Sequence, residues 1–314
     1  MYQTETIAPT PDGISRAVEI LHAAELVAMP TETVYGLAGD ARSDLAVARI
    51  FAAKNRPQFN PLIVHVPDLA SATKIAVFSS VALDLAAAFW PGPLTLVLPL
   101  HPDANLSPLI TADLPTVAIR VPAHPVAQAL LRAFAGPLAA PSANPSGRIS
   151  PTRAAHVLDG LDGFIAAVLD GGPCTVGVES TILGLGGLPT VLRPGGIPQE
   201  TIESLLRHPL QTAGHAQKPN APGQLASHYA PAAQLRLNVS SPDPTEIHIA
   251  FGPGALTLSV NRDLTEAAAN LFHALRQADT LAGPGGHIAV APIPETGLGR
   301  AINDRLRRAA APRS

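Results

Sequence analysis

Cysteine is nearly missing from this chain: Cys174 stands alone, so no intramolecular disulfide can form and a reducing, cytoplasmic setting is expected. Long apolar runs are missing too. Pro, Gly and charged residues break every stretch before it reaches the roughly eighteen apolar residues of a membrane span, so no membrane contact is expected. Met1 to Pro11 has neither the basic nor the apolar region of a secretory leader. Charge is scarce, at 14% of residues with a net value of −3, which argues against a surface given over to phosphate backbones. The common catalytic signatures are absent as well: no G-x-x-x-x-G-K-[ST] loop, no G-x-G-x-x-G, no H-E-x-x-H, no G-x-S-x-G. With one cysteine and eleven dispersed histidines, no protein-held metal is expected.

What is present is a globular balance, 46% apolar over 314 residues, enough for a large domain and a smaller one. From residue 14 to about 206, short apolar runs alternate with helical periods, an α/β pattern. The spacing predicts a helix over Ile14 to Glu25, a strand over Leu26 to Met29, a turn-rich stretch, and a helix from Asp44 to about Ala53 capped by Ser43. Further strands are expected at Leu62 to Val66, Leu94 to Leu98, Val117 to Val121, Leu138 to Ala140, Ile165 to Leu169, Ser180 to Leu183 and Thr190 to Leu192. His208 to Gly223 is polar and rich in Pro and Gly, the composition of a connector. Beyond it, strands at Gln234 to Val239, Ile247 to Phe251 and His287 to Ala291, with helices at Leu264 to Ala278 and Arg300 to Ala310, read as a small α/β domain.

Several polar residues fall at strand ends or in adjoining loops, where α/β proteins bind ligands. Lys54 and Arg56, with Asn55 and Asn60, follow a helix; they either complement its dipole or receive an anion such as phosphate or bicarbonate. In Thr116-Val117-Ala118-Ile119-Arg120-Val121, alternation puts Arg120 on the face of Thr116 and Ala118. An arginine inside an apolar strand needs an anionic ligand or a buried acid. His65 lies in a similar strand, as a ligand contact or a satisfied core residue. Ser142 and Asn144 follow the strand ending at Ala140. Ser150, with Pro151 after it, is expected to cap a helix whose N-terminus offers a phosphate site. Glu179-Ser180-Thr181 and Arg193 complete the set, Arg193 as another anion partner at a strand end.

The segments Pro30 to Leu37, Lys54 to Pro57, Pro61 to Val66, Trp90 to Thr95, Thr116 to Val121, Ala140 to Asn144, Ser150 to Thr152, Gly177 to Thr181 and Leu192 to Gly195, in this order, resemble the threonylcarbamoyl-adenylate synthase family. Ala221-Pro222-Gly223 and Ser227-His228-Tyr229-Ala230-Pro231 resemble the linker of its two-domain form, and Gly297-Leu298-Gly299 with Ala301-Ile302-Asn303 its last domain. The resemblance implies a YrdC-like twisted mixed sheet with flanking helices over residues 1–206, a linker over 207–231 that contributes to the active site, and a small Rossmann-like α/β domain over 232–314. It implies Lys54, Arg56, Ser142 and Asn144 around the phosphates of ATP and bicarbonate. It places Thr33, His65, Arg120, Ala140 and Ser180 on L-threonine, and Arg56, Asn60, Thr116, Ser142, Ser150, Arg193 and Tyr229 on ATP. The implied reaction makes threonylcarbamoyl-AMP, with magnesium (Mg2+) on the phosphates, for a threonylcarbamoyl-transferase machinery that modifies tRNA next to the anticodon; direct tRNA contact would be weak. Two other readings are a carbamoyl-transfer domain of the same fold, whose cysteine-rich zinc segments are missing here, and an RNA-binding module.

Overall fold

A computed structural model describes residues 3–57, 59–212 and 227–312. The larger sheet comprises β1 (Glu5–Ile7), β2 (Val27–Met29), β3 (Gly36–Asp40), β4 (Ile63–His65), β5 (Leu94–Pro99), β6 (Thr116–Arg120), β7 (Leu138–Ala139), β8 (Ala167–Leu169), β9 (Thr181–Gly184), β10 (Thr190–Arg193) and β11 (Gln211–Thr212). Its order is β1-β8-β2-β3-β7-β4-β6-β5-β9-β10-β11, with parallel and antiparallel neighbours mixed. The helices of this part are α1 (Pro11–His22), α2 (Asp44–Lys54), α3 (Leu69–Ala72), α4 (Ser80–Phe89), α5 (Pro125–Phe134), α6 (Ala154–Leu161) and α7 (Gln199–Leu206). The smaller sheet, β12 (Gln234–Arg236), β13 (Ile247–Ile249) and β14 (His287–Val290), is parallel in the order β12-β14-β13 and carries α8 (Leu264–Ala282) and α9 (Gly299–Ala310).

Strand alternation sorts the core. Val117, Ile119 and Val121 join the main apolar cluster with Val47, Ile50 and Phe51 of α2 and Leu85 of α4. Ala118 instead meets Ile63, Val97 and Ile182 in a small patch, so Arg120 emerges on that second face as the alternation requires. Elsewhere in the sheet α1 and α5 cover Val27, Met29 and Leu169. The third large cluster, built on α8 and α9, also takes in Val34, Ile149 and Val178 from the first part of the chain.

Three expectations need correction. The first helix starts at Pro11, not Ile14, because Thr10 accepts from the Gly13 amide and Pro11 fits the first turn; it stops at His22. The turn-rich stretch after Met29 contains β3, whose two glycines disguise a buried strand held between β2 and β7. Ser150 caps no helix: α6 begins at Ala154 with Arg153 at the cap and no side-chain cap bond, so the proposed phosphate site at that helix N-terminus is not formed. Strand β11 pairs with β10, which carries the large sheet past residue 206 into the stretch read as a connector. Ala221-Pro222-Gly223 lies outside the described residues.

Candidate active site

The strand ends gather the polar groups. Parallel pairing of β4 with β6 sets His65 directly beside Arg120, each the last residue of its strand. Arg193 ends β10, Ser180 precedes β9, and an isolated bridge from Gly36 to Ser142 brings the loop after β7 against the start of β3. Together these residues wall a pocket with Thr33, Val34, Arg56, Ile63, Ala140, Pro141, Glu179, His228 and Tyr229.

Arg120 is buried and bonded through all three nitrogens: Nη2 meets Glu32 Oε1 at 2.6 Å, Nη1 donates to Thr33 Oγ1 at 2.9 Å, and Nε donates to the Gly92 carbonyl at 3.2 Å, which leaves one hydrogen on each Nη. The acid partner required for a buried strand arginine is therefore Glu32, which also accepts from the Ala123 amide. Arg193 donates to the Ser180 carbonyl at 2.9 Å and to Ser180 Oγ at 3.2 Å, and Ser180 Oγ lies 2.7 Å from Thr95 Oγ1. Arg56 reaches the Asn60 and Pro61 carbonyls, leaving a guanidinium in the pocket wall. Burial and the neighbouring Arg193 push Arg56 down to about 10. Crowded cations of this kind await an anion.

Lys54 stands behind the wall rather than in it. At the end of α2, where Asn55 turns the chain in a left-handed cap, its buried Nζ donates to the carbonyls of Ser142 and Asn144. Burial, and then Arg56, hold the ammonium well below its usual range. Asn144 donates from Nδ2 to the Pro145 and Arg148 carbonyls while its buried Oδ1 finds no acceptor's counterpart in the protein, as is also true of Asn60 Oδ1. Both imidazoles of the pocket are neutral, because burial lowers His65 and His228 to about 3.

Of the residues expected at the site, Thr33, Arg56, His65, Arg120, Ala140, Ser142, Ser180, Arg193 and Tyr229 line this pocket. Lys54, Asn60, Asn144 and Ser150 are buried and outside the lining, and Thr116 is half-buried at the far end of β6. Ser150 donates instead to Glu179 Oε1 at 2.6 Å. Sequence reading gave no role to Glu32 or Glu179, although both lie inside the segments it singled out. It also missed Arg305 of α9, which donates from Nε to Glu179 Oε2 at 2.9 Å and sits 5.6 Å from the ring centre of Tyr229. Arg305 lies on the apolar stripe of its helix with Ile302, Leu306 and Ala309, and that misplaced charge was a readable signal. Burial opposes ionisation of Glu179, but Arg305, Arg193 and the Ser150 hydroxyl outweigh it and keep the carboxyl below its usual range.

Comparison with known proteins shows the family. Residues 19–195 match the family model described as "Telomere recombination", and residues 197–311 match the one described as "Threonylcarbamoyl-AMP synthase, C-terminal domain". The threonylcarbamoyl-AMP synthase of Bacillus subtilis is 41% identical, across 98% of this chain and 95% of its own. A crystal structure of Pyrococcus abyssi Sua5 complexed with L-threonine superposes with a TM-score of 0.89 at 36% identity, covering 98% of this chain and 97% of that one. Escherichia coli YciO, at 24% identity and a TM-score of 0.56, shares the fold over 62% of this chain and 96% of its own. The chain belongs to the threonylcarbamoyl-AMP synthase family.

Proposed function

We propose that this protein joins L-threonine, bicarbonate and ATP into threonylcarbamoyl-AMP inside the pocket bounded by Arg56, Arg120 and Arg193. One observation carries the reading: three guanidinium groups and the hydroxyls of Thr33, Ser142 and Ser180 converge on a single pocket, where the one carboxylate among the described lining residues, Glu179, is held by Arg305 and Ser150. The threonine amine adds to the bicarbonate carbon and water leaves, giving a carbamate. A carbamate oxygen then bonds to the α-phosphorus of ATP, the bond to the β-phosphate oxygen breaks, and pyrophosphate departs. No enzyme nucleophile is required; the site's work is to hold anions in line and to offer donors to developing charge.

In this reading Thr33, His65, Arg120, Ala140 and Ser180 receive threonine. His65, with its basicity cut to about 3, is too weak a base to take the ammonium proton and serves as a hydrogen-bonding wall. Arg56, Ser142, Arg193 and Tyr229 take ATP from the pocket wall, with Asn60, Thr116 and Ser150 reached only beyond that wall, and Lys54 with Arg56, Ser142 and Asn144 surrounds the phosphates and bicarbonate. Lys54 acts partly at one remove, by fixing the carbonyls of the Ser142–Asn144 turn.

Magnesium does not fit a protein-held site here. Among the described residues there is no group of three or more His, Cys, Asp or Glu side chains able to hold a metal, and Glu32 and Glu179 are both occupied by arginines. The ion is expected to arrive on the phosphates of ATP, and the chain's residues act on the substrates directly. Among the described residues no helix is long and apolar enough to cross a membrane, which suits cytoplasmic supply of a tRNA-modifying transferase.

Pyrophosphate release from ATP tests the reading when threonine, bicarbonate and ATP are omitted in turn. All three omissions should abolish release and the formation of an adenylate. Release that persists without threonine would overturn it.

A further inference from the structure

Arg305 is left over once the reaction has been assigned. It is fully buried, reaches the site from the last helix of the chain, and keeps one nitrogen, Nη2, without a hydrogen-bond partner. Its Nε holds Glu179, its Nη1 donates to the Pro194 carbonyl at 2.6 Å and meets Asp304 at 2.9 Å, and its guanidinium lies beside the Tyr229 ring. One turn onward, the Arg308 carbonyl accepts from the His228 amide at 3.2 Å. A single helix therefore touches the Glu179 loop, the end of β10 and the His228–Tyr229 segment, all of which adjoin the pocket.

Packing alone does not call for arginine at this position. An apolar residue of similar volume on the stripe of Ile302 and Leu306 would avoid the cost of burying charge. What arginine adds is compensation for Glu179, a carboxylate in a pocket that otherwise collects anions. Glu179 and Arg193 also line the same pocket, and Arg193 helps to hold the carboxyl below its usual range. Deprived of Arg305, the carboxylate would be drawn to Arg193 and would compete there with phosphate.

Resting on the reading that ATP binds in this pocket, we propose that Arg305 is a positioning residue, which holds Glu179 on the Ser150 side and steadies Tyr229, and so keeps the carboxylate from competing with phosphate at Arg193. The small sheet's last helix is thereby part of the nucleotide site.

The full-length chain tests this through steady-state KM for ATP, KM for threonine and kcat in five proteins: wild type, Arg305→Met, Arg305→Met/Glu179→Gln, Arg305→Lys and Arg305→Lys/Glu179→Gln. Arg305→Met should raise KM for ATP by roughly tenfold or more while KM for threonine changes by less than about threefold. Adding Glu179→Gln should restore KM for ATP to within about threefold of wild type, because the competing charge is gone while the shape remains. A purely packing role for Arg305 would show no such rescue. If Arg305→Met does not fold, Arg305→Lys decides: it keeps the charge and loses the two-pronged fork, and should raise KM for ATP severalfold, again with rescue by Glu179→Gln. An active wild type with unchanged KM in the Arg305 variants, or with losses that Glu179→Gln does not relieve, overturns the assignment to Arg305 alone. A wild type that does not consume ATP overturns the reading of the pocket and this inference with it.

Discussion

Replacing Arg120 by Met should cripple folding, and replacing its partner as well should largely repair it. Arg120 and Glu32 are both buried and meet at 2.6 Å, with only the Ala123 amide left to Glu32 once the guanidinium is gone. An uncompensated buried carboxylate costs about 3–5 kcal/mol, a large share of the 5–15 kcal/mol that typically holds a domain together. Glu32→Gln strands the guanidinium less severely, since the Thr33 hydroxyl and the Gly92 carbonyl still accept from it; about 1–3 kcal/mol is expected. In the double variant both charges are absent, so the loss should fall within about 2 kcal/mol of wild type, giving a coupling energy of about 2–8 kcal/mol. Urea unfolding of the four proteins, followed by circular dichroism with slopes compared, measures this cycle. The folded double variant then isolates function: it should stay inactive at any practical threonine concentration, because Arg120 is the cation next to Thr33 and His65. Additive single losses, with coupling below about 0.5 kcal/mol, would refute the pairing argument. Normal threonine saturation in the double variant would refute the role given to Arg120.

Three further outcomes are expected. Lys54→Met should lower turnover on the order of 100-fold while shifting the urea midpoint little, since the lost hydrogen bonds to the Ser142 and Asn144 carbonyls are offset by relief of ammonium burial; wild-type turnover would count against the site. Acidification should destabilise the protein: His65 and His228 ionise near 3 when folded and near 6.5 when unfolded, so between those values the unfolded chain binds more protons and stability rises with pH. Together they contribute up to about 2–3 kcal/mol per pH unit below pH 6, and a melting temperature that holds steady from pH 7 to pH 5 would contradict this. Gly177→Ala should destabilise far more than Gly172→Ala, although both glycines have positive φ. A Cβ at Gly177 would fall 2.4 Å from the Ala269 Cα of α8, while one at Gly172 meets nothing within 4 Å, so denaturant midpoints of the two variants should separate clearly.

Much of the sheet was legible because its strands are short apolar runs closed by Pro, Gly or charge, and because alternation in β6 marks Arg120 as an oddity. Partner identity was less accessible: an arginine in a strand asks for an anion, yet Glu32 lies far away in sequence and is brought near only by the turn after β2. Ser150 misled for a physical reason, since Ser-Pro suits a helix start as well as it suits an extended segment whose hydroxyl is taken by a distant carboxylate. Strand β3 hid behind its glycines, which fit both a turn and a strand pressed against its neighbours on each side. Arg305 could have been found by asking why one charge sits among the apolar positions of α9, but nothing local says which segment it meets.

The apolar cluster of the small sheet has consequences for anyone who would cut this chain in two. Val34 lines the pocket and Val178 precedes Glu179, yet both pack, together with Ile149, with Phe272, Leu271 and Ile302. A catalytic fragment ending at α7 would present those three side chains to water as an adhesive scar beside its own pocket, and would tend to self-associate through it. Heating the intact chain should correspondingly give one cooperative transition rather than two, with loss of the pocket and loss of the C-terminal helices reported at the same temperature.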